Sequence, residues 1–215
     1  MVKLLLSCLL ALTVQITSAK VVLPSCLTDN MVLQQKTSVN LWGTQSPGTN
    51  LTIITSWNNS AYHVHADANG NWKVKVTTPG YGGPYTITFN DGSITALKNI
   101  LIGEVWVCSG QSNMEMQLSG FYGDVLNLGP ELADAANYPE IRMLTIDHQT
   151  SFTPLADIRT KSGWIVCNPQ TMRDFSAVAY FFARNLFAGR HIPICRLHRF
   201  AQMIGMISGS PHLIT

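Results

Sequence analysis

The run Ile102-Gly103-Glu104-Val105-Trp106-Val107-Cys108 constrains the fold more than any other stretch of the chain. It is apolar, carries one charge and does not alternate, the pattern of a strand covered on both faces. Ser109-Gly110 breaks it, and Asn113-Met114-Glu115-Met116-Gln117 then has helical propensity. A buried strand that turns directly into a helix opens an α/β layer. The downstream sequence continues the theme. Pro130 to Ala136 predicts a short helix, and Glu140 to Asp147 a second core strand. Phe175, Val178, Ala179, Phe182 and Leu186 recur at three- and four-residue steps, which predicts an amphipathic helix over 172–187. Asp174 stands near its start and Gly189 just past its end, and His191-Ile192-Pro193-Ile194 enters a third strand.

The first half has a different texture. Val39 to Gly43 alternates and stops at a glycine, Leu51 to Trp57 reads as a strand, and Trp72 to Val76 alternates after the turn Asp67-Ala68-Asn69-Gly70-Asn71. Gly82-Gly83-Pro84 reads as a turn into the strand Tyr85 to Phe89, which Asn90-Asp91-Gly92 ends as a hairpin turn. Short strands turned at this spacing predict an all-β sandwich over residues 20–100. The α/β region then covers 101–194. Residues 195–215 mix cations and apolar side chains without a period, so they are expected to diverge from the α/β pattern.

Residues 1–19 read as a signal peptide: Lys3, an apolar run from Leu4 to Val14, and small residues at Thr17-Ser18-Ala19. The apolar run is too short to span a bilayer. A secreted or lysosomal protein with no membrane anchor is expected. Asn50-Leu51-Thr52 and Asn58-Asn59-Ser60 are N-glycosylation acceptors in a turn-rich stretch, which fits that route. Four cysteines follow the leader, Cys26, Cys108, Cys167 and Cys195; three pairings are possible and their spacing matches no compact zinc motif. A net charge of +2 argues for neither nucleic acid nor an anionic membrane as partner.

Ser112 is the candidate nucleophile. A serine hydroxyl needs a base to take its proton, a group to orient that base, and donors for the oxyanion. At the start of a helix, Ser112 offers its own N–H where the helix dipole favours negative charge. Met114 occupies the place of the second glycine in a Gly-x-Ser-x-Gly elbow, so that motif is absent. The local chemistry leaves two readings open, a nucleophile or a serine capping the helix.

Longer blocks carry a resemblance. They are Asp29 to Gln34, Trp42-Gly43, Pro47-Gly48, Gly70-Asn71-Trp72, Gly82 to Tyr85, Ile102 to Met114, Phe175 to Arg184 and Ile192-Pro193-Ile194. Over about 165 residues (29–194) the chain resembles the sialate O-acetylesterases, secreted members of the SGNH/GDSL-like hydrolase group. Gly110-Gln111-Ser112-Asn113-Met114 is the most specific block. The resemblance implies a mixed fold, a β-sandwich followed by the N-terminal part of a three-layer α/β hydrolase domain. It also implies that Ser112 is the catalytic nucleophile, that O-acetylated sialic acids or sialoglycans are the substrate, and that no metal or organic cofactor takes part. In the family a Gly-rich Ser-Trp-Gly-Gly segment follows Ile-Pro-Ile, and the histidine and aspartate lie much further on. From Cys195 this chain departs from that pattern. It is therefore expected to be a truncated, nearly inactive member; the alternative is a non-catalytic protein that binds glycans or a partner through its sandwich.

Other residues take plainer readings. His63 and His65 share one strand face before the hydrolase region. His148 follows Asp147 at a strand end, where adjacent side chains point to opposite faces and Asp147 cannot orient it. His191, His198 and His212 border or occupy the divergent tail. Glu104 and Glu115 flank Ser112 without the architecture of a carboxylate pair. Met114 and Met116 are expected to pack under the helix, and Trp42, Trp57 and Trp72 to fill a core.

Overall fold

The computed structural model describes residues 20–120, 128–147, 149 and 151–200, with side chains described as far as Ile194. The leader over 1–19, His148, His212 and the rest of the tail from 201 lie outside the described residues. The fold is mostly sheet with few helices. Strands β1 (Val32–Gln34), β2 (Ser38–Thr44), β3 (Asn50–Thr55), β4 (Ser60–His65), β5 (Asn71–Thr77), β6 (Gly82–Asn90) and β7 (Ile94–Gly110) occupy the first half. β2 and β5 pair antiparallel as a small sheet of two strands. Their alternation puts Val39, Leu41, Trp72 and Val76 inward, and these meet Leu51, Ile53, Ile87, Phe89 and Ile100 of the larger sheet in one core. The turn before β5 is set by Asp67, whose Oδ1 accepts the N–H groups of Asn69 and Asn71, each at 2.8 Å.

The larger sheet runs in the order β4-β3-β6-β7-β10-β8-β9, with β1 also on β7. Here β8 is Ile141–Ile146, β9 is Thr160–Val166 and β10 is Ile194–Phe200. β7 is 17 residues long and serves both halves. Its first part pairs antiparallel with β6 and parallel with β1, and from Glu104 it pairs parallel with β10. The boundary expected between residues 100 and 101 therefore falls inside a strand. β10 lies between β7 and β8 and is parallel to both, with seven register partners on β7 from Ile194↔Glu104 to Phe200↔Gly110. The sheet thus takes in the first six residues of the stretch expected to diverge. Backbone pairing on both sides supplies the order that their side-chain pattern does not announce.

Among the described residues three helices accompany the second half: α1 (Ser112–Glu115), α2 (Gly129–Asp134) and α3 (Ala177–Arg190), with a 3-10 turn (Ala135–Asn137) after α2. α3 starts five residues later than the 172–187 periodicity predicts. Ser176, not Asp174, caps it, its Oγ accepting the Ala179 N–H at 3.2 Å. The residues before it are taken by the loop after α1: Leu118 N–H donates to Phe175 O and Ser119 N–H to Arg173 O. At the other end Gly189 stays helical, and His191 closes the helix in the left-handed region at φ 50°.

α3 lays Ala179, Tyr180 and Ala183 over Ile141, Met143 and Ile194, and all six are fully buried. The opposite face of β8 and β9 sends Leu144 and Trp164 into the first core, where Trp164 Nε1 donates to Cys26 O at 2.7 Å. Arg142, also buried, donates to Asn30 Oδ1 and Asn99 Oδ1 at 3.4 Å each, and burial holds its pKa below the usual guanidinium value. Both asparagines have positive φ, 66° and 56°, and their amides are joined at 2.7 Å. β7 is not covered on both faces along its whole length, contrary to its apolar run. Trp106 is 41% and Val107 66% exposed. α3 reaches this end of β7 through Phe182, whose ring packs edge-on to Trp106 at 5.4 Å.

Candidate functional site around Ser112

β7, β10 and β8 are parallel, so their carboxyl ends meet at one edge of the sheet. In open α/β sheets that edge is where ligands bind. Ser112 stands there, exposed, two residues beyond the end of β7. Its position in the turn speaks against one of the two readings of the sequence, the cap. The cap residue is Gln111, in extended conformation (φ −101°, ψ −150°) and without a side-chain cap bond; Ser112 is the first helical residue. Met114 N–H donates to Gln111 O at 2.9 Å, and Met116 N–H to Ser112 O at 3.0 Å. The Ser112 hydroxyl makes no hydrogen bond within the described residues, so it does not cap α1.

Gly110 leaves room for this turn. A Cβ there would meet Met114 Cβ at 3.0 Å. α1 buries none of its own residues and is positioned from outside. Ala177 N–H donates to Met116 O at 2.8 Å, Gln117 bridges to Ser176, and Ser176 Oγ lies 3.6 Å from Met114 Sδ. Gln111, Met114 and Ser176 thus set the pose of the nucleophile candidate. Their sequence signal was only membership in the resembling blocks, because the contact joins segments about 60 residues apart. With four residues, α1 is too short for the sizeable dipole that the sequence suggested, since few peptide units align.

The remaining candidates are dispersed. Glu104 sits at the opposite end of this stretch of β7, its carboxylate accepting Gln34 Nε2 at 3.2 Å and Gln35 Nε2 at 2.6 Å. Gln34 Oε1 also accepts the Val105 N–H at 2.9 Å, so this side chain ends the β1 ladder. Glu115 is half-buried on α1. His63 and His65 share the exposed face of β4 in the first half. His191 is at the far end of α3, with its ring against Phe187. His198 is opposite Cys108 in register. Asp147 follows β8 at the same edge as Ser112, with β10 between them; its N–H donates to Arg159 O. Trp72 is buried in the first core, while Trp42 and Trp57 pack half-buried against it.

Cys26 and Cys167 are free thiols, and burial pushes both up to about 12; Cys108 is buried as well. Among the described residues no three His, Cys, Asp or Glu side chains gather as metal ligands, and no helix is long and apolar enough to cross a membrane. An open recess of about 360 Å³ lies between Thr28–Asn30 and β9, and Ser112 is not among its lining residues.

No protein-family model matches the sequence. Curated relatives do. Sialate O-acetylesterases from Mus musculus and Homo sapiens are 27% and 26% identical over 186 and 189 residues, 79% of this chain. The chain is similar to the sialate O-acetylesterases. It spans about a third of their length, 34% and 35% of the mouse and human proteins. The likeness to the sialate O-acetylesterases extends to a solved structure, a carbohydrate acetylesterase from Xanthomonas citri. That structure superposes with a TM-score of 0.76 at 31% identity, over 84% of this chain and 40% of its own.

Proposed function

We propose that this chain carries the nucleophilic part of a carbohydrate O-acetylesterase site, with Ser112 as nucleophile and O-acetylated sialic acid or a sialoglycan as substrate. The carrying observation is the pose of Ser112: exposed, with no side-chain hydrogen bond to the described residues, and first in the helix at the carboxyl edge of the parallel strands. Similarity to proteins that remove acetyl groups from carbohydrates supports the reaction class. In that reaction Oγ of Ser112 bonds to the acetyl carbonyl carbon as its proton passes to a base. The carbonyl oxygen becomes an oxyanion that the Ser112 N–H can hold. The sugar oxygen then leaves as its hydroxyl, and water releases acetate from the acetyl-serine.

The fold belongs with this reading, as an N-terminal β-sandwich joined to the first part of a three-layer α/β hydrolase domain. The run Cys195-Arg196-Leu197-His198 replaces the Gly-rich continuation of the family pattern, so turnover should be weak. The leader read over residues 1–19 and the two glycosylation acceptors support a secretory route for the chain, outside the cell or in the lysosome. The test is hydrolysis of an O-acetylated sialic acid by the purified chain and by Ser112→Ala. Slow acetate release is expected from the parent and none above background from the variant. Equal rates for the two proteins would remove Ser112 from the mechanism. Ser112 is exposed and its hydroxyl bonds to none of the described residues, so the variant should keep its stability within about 0.5 kcal/mol.

A further inference from the structure

The two terminal strands of the large sheet, β4 and β9, are protected differently. Exposed strand edges are templates for pairing with other chains, and proteins blunt them with lysine, proline or bulges. β9 has such devices: Lys161 is exposed, Gly163 takes φ 68°, and the pairing with β8 slips between Leu144 and Ile146. β4, Ser60-Ala61-Tyr62-His63-Val64-His65, has no lysine, proline, carboxylate or register shift, and among the described residues it pairs with β3 alone. The two acceptor sequences stand at the two ends of this hairpin.

Asn58 lies in the turn between β3 and β4, exposed. Its Oδ1 accepts the Thr55 hydroxyl at 2.7 Å and the Ser60 N–H at 3.1 Å. Both donors fix the oxygen, so the amide nitrogen is the outward atom. Asn50 opens β3 at the other end, also exposed, directly opposite His65. Its Oδ1 is 2.9 Å from His65 Nδ1, and Thr52 Oγ1 of the same acceptor triplet is 3.2 Å from His63 Nδ1. Again the oxygen is held and Nδ2 is left toward solvent. Six residues of β3 separate the sites by about 20 Å.

We propose that the β3–β4 hairpin is N-glycosylated at Asn50 and Asn58, and that the two glycans guard the open edge of β4. The proposal rests on the secretory reading given above. The donor is a lipid-diphosphate oligosaccharide. Nδ2 bonds to the anomeric carbon, the anomeric carbon–phosphate oxygen bond breaks, the lipid diphosphate leaves, and the amide gives up one proton. Each glycan is bulky and hydrated, and together they flank the strand at both ends.

The test expresses the full chain in a eukaryotic secretory host, once with its own N-terminus and once with residues 1–19 replaced by a proven leader. Intact mass and peptide mapping are read before and after peptide N-glycosidase, which leaves aspartate at each modified asparagine. Two glycan increments are expected, with Asn50→Gln and Asn58→Gln each removing one. A secreted chain from the proven leader at bare polypeptide mass would overturn the sites. Modification with the proven leader only would sink the secretory reading and leave the sites standing. Light scattering of the glycosylated and enzymatically stripped chains then tests the guard. Concentration-dependent association should appear after stripping, and equal behaviour of both forms would refute that role.

Discussion

At Gly103 the absence of a side chain is a requirement. A Cβ there would stand 2.0 Å from Pro193 O, where β10 enters the sheet beside β7. Backbone cannot yield as a side-chain tip can. Gly103→Ala should therefore cost about 3 kcal/mol, the upper part of the overpacking range. For a chain this long that is a fall of roughly 6–12 °C in the melting temperature, measurable by scanning calorimetry. Gly110 is the milder case, because Met114 sits on the short α1 and can move with it.

α1 and α3 are joined end to end. Four residues cannot sustain a helix in water, so α1 exists through its bonds to the segment that starts α3. Ser176 is buried at that junction, where its hydroxyl caps α3 and touches Met114. Ser176→Ala should lower stability by about 1 kcal/mol in chemical denaturation. Ser176→Thr should recover much of it, and amide exchange at Met116 to Ser119 should quicken in the alanine variant. The sequence disclosed the two ends of this arrangement and not the joint. The periodicity from Phe175 to Leu186 marked α3 but could not show that residues before Ser176 were claimed by another segment. β9 escaped for a related reason: Lys161-Ser162-Gly163 hides its alternation, and only pairing with β8 makes it a strand. Ser112 was legible because a local turn defines it. Gln34 on Glu104 and Val105, and Arg142 on Asn30 and Asn99, were not, since those contacts span 43 to 112 residues.

Across the whole molecule, both hydrophobic cores hold acids that must stay neutral. Cys26 lies in the first, Cys167 and Tyr180 in the second. Burial raises the two thiols from 9.0 to about 12 and the Tyr180 phenol from 10.0 to about 12. An unfolded chain would release these protons earlier than the folded one. The stability they contribute is thus complete below about pH 9 and declines as pH climbs toward 12. Urea midpoints measured from pH 8 to 11 should fall steadily, with both cores lost in one transition. Cys26→Ala and Cys167→Ala should each flatten the slope, even where they lower the starting value.

That shared transition follows from β7, which runs as one strand from Ile94 to Gly110 with a bulge near Asn99 (φ 56°). A strand common to both halves limits their motion toward one another, so the loops at the sheet edge are the parts freest to close over a ligand. The same continuity makes spacing unforgiving. One residue inserted after Gly103 would exchange the faces of every side chain from Glu104 onward, turning Trp106 away from Phe182 and rotating the base of the Ser112 turn by half a revolution. The N-terminal sheet thus acts as the angular reference for the serine: a module with a long stem, fixed at one rotation, not a bead that can be traded on a string.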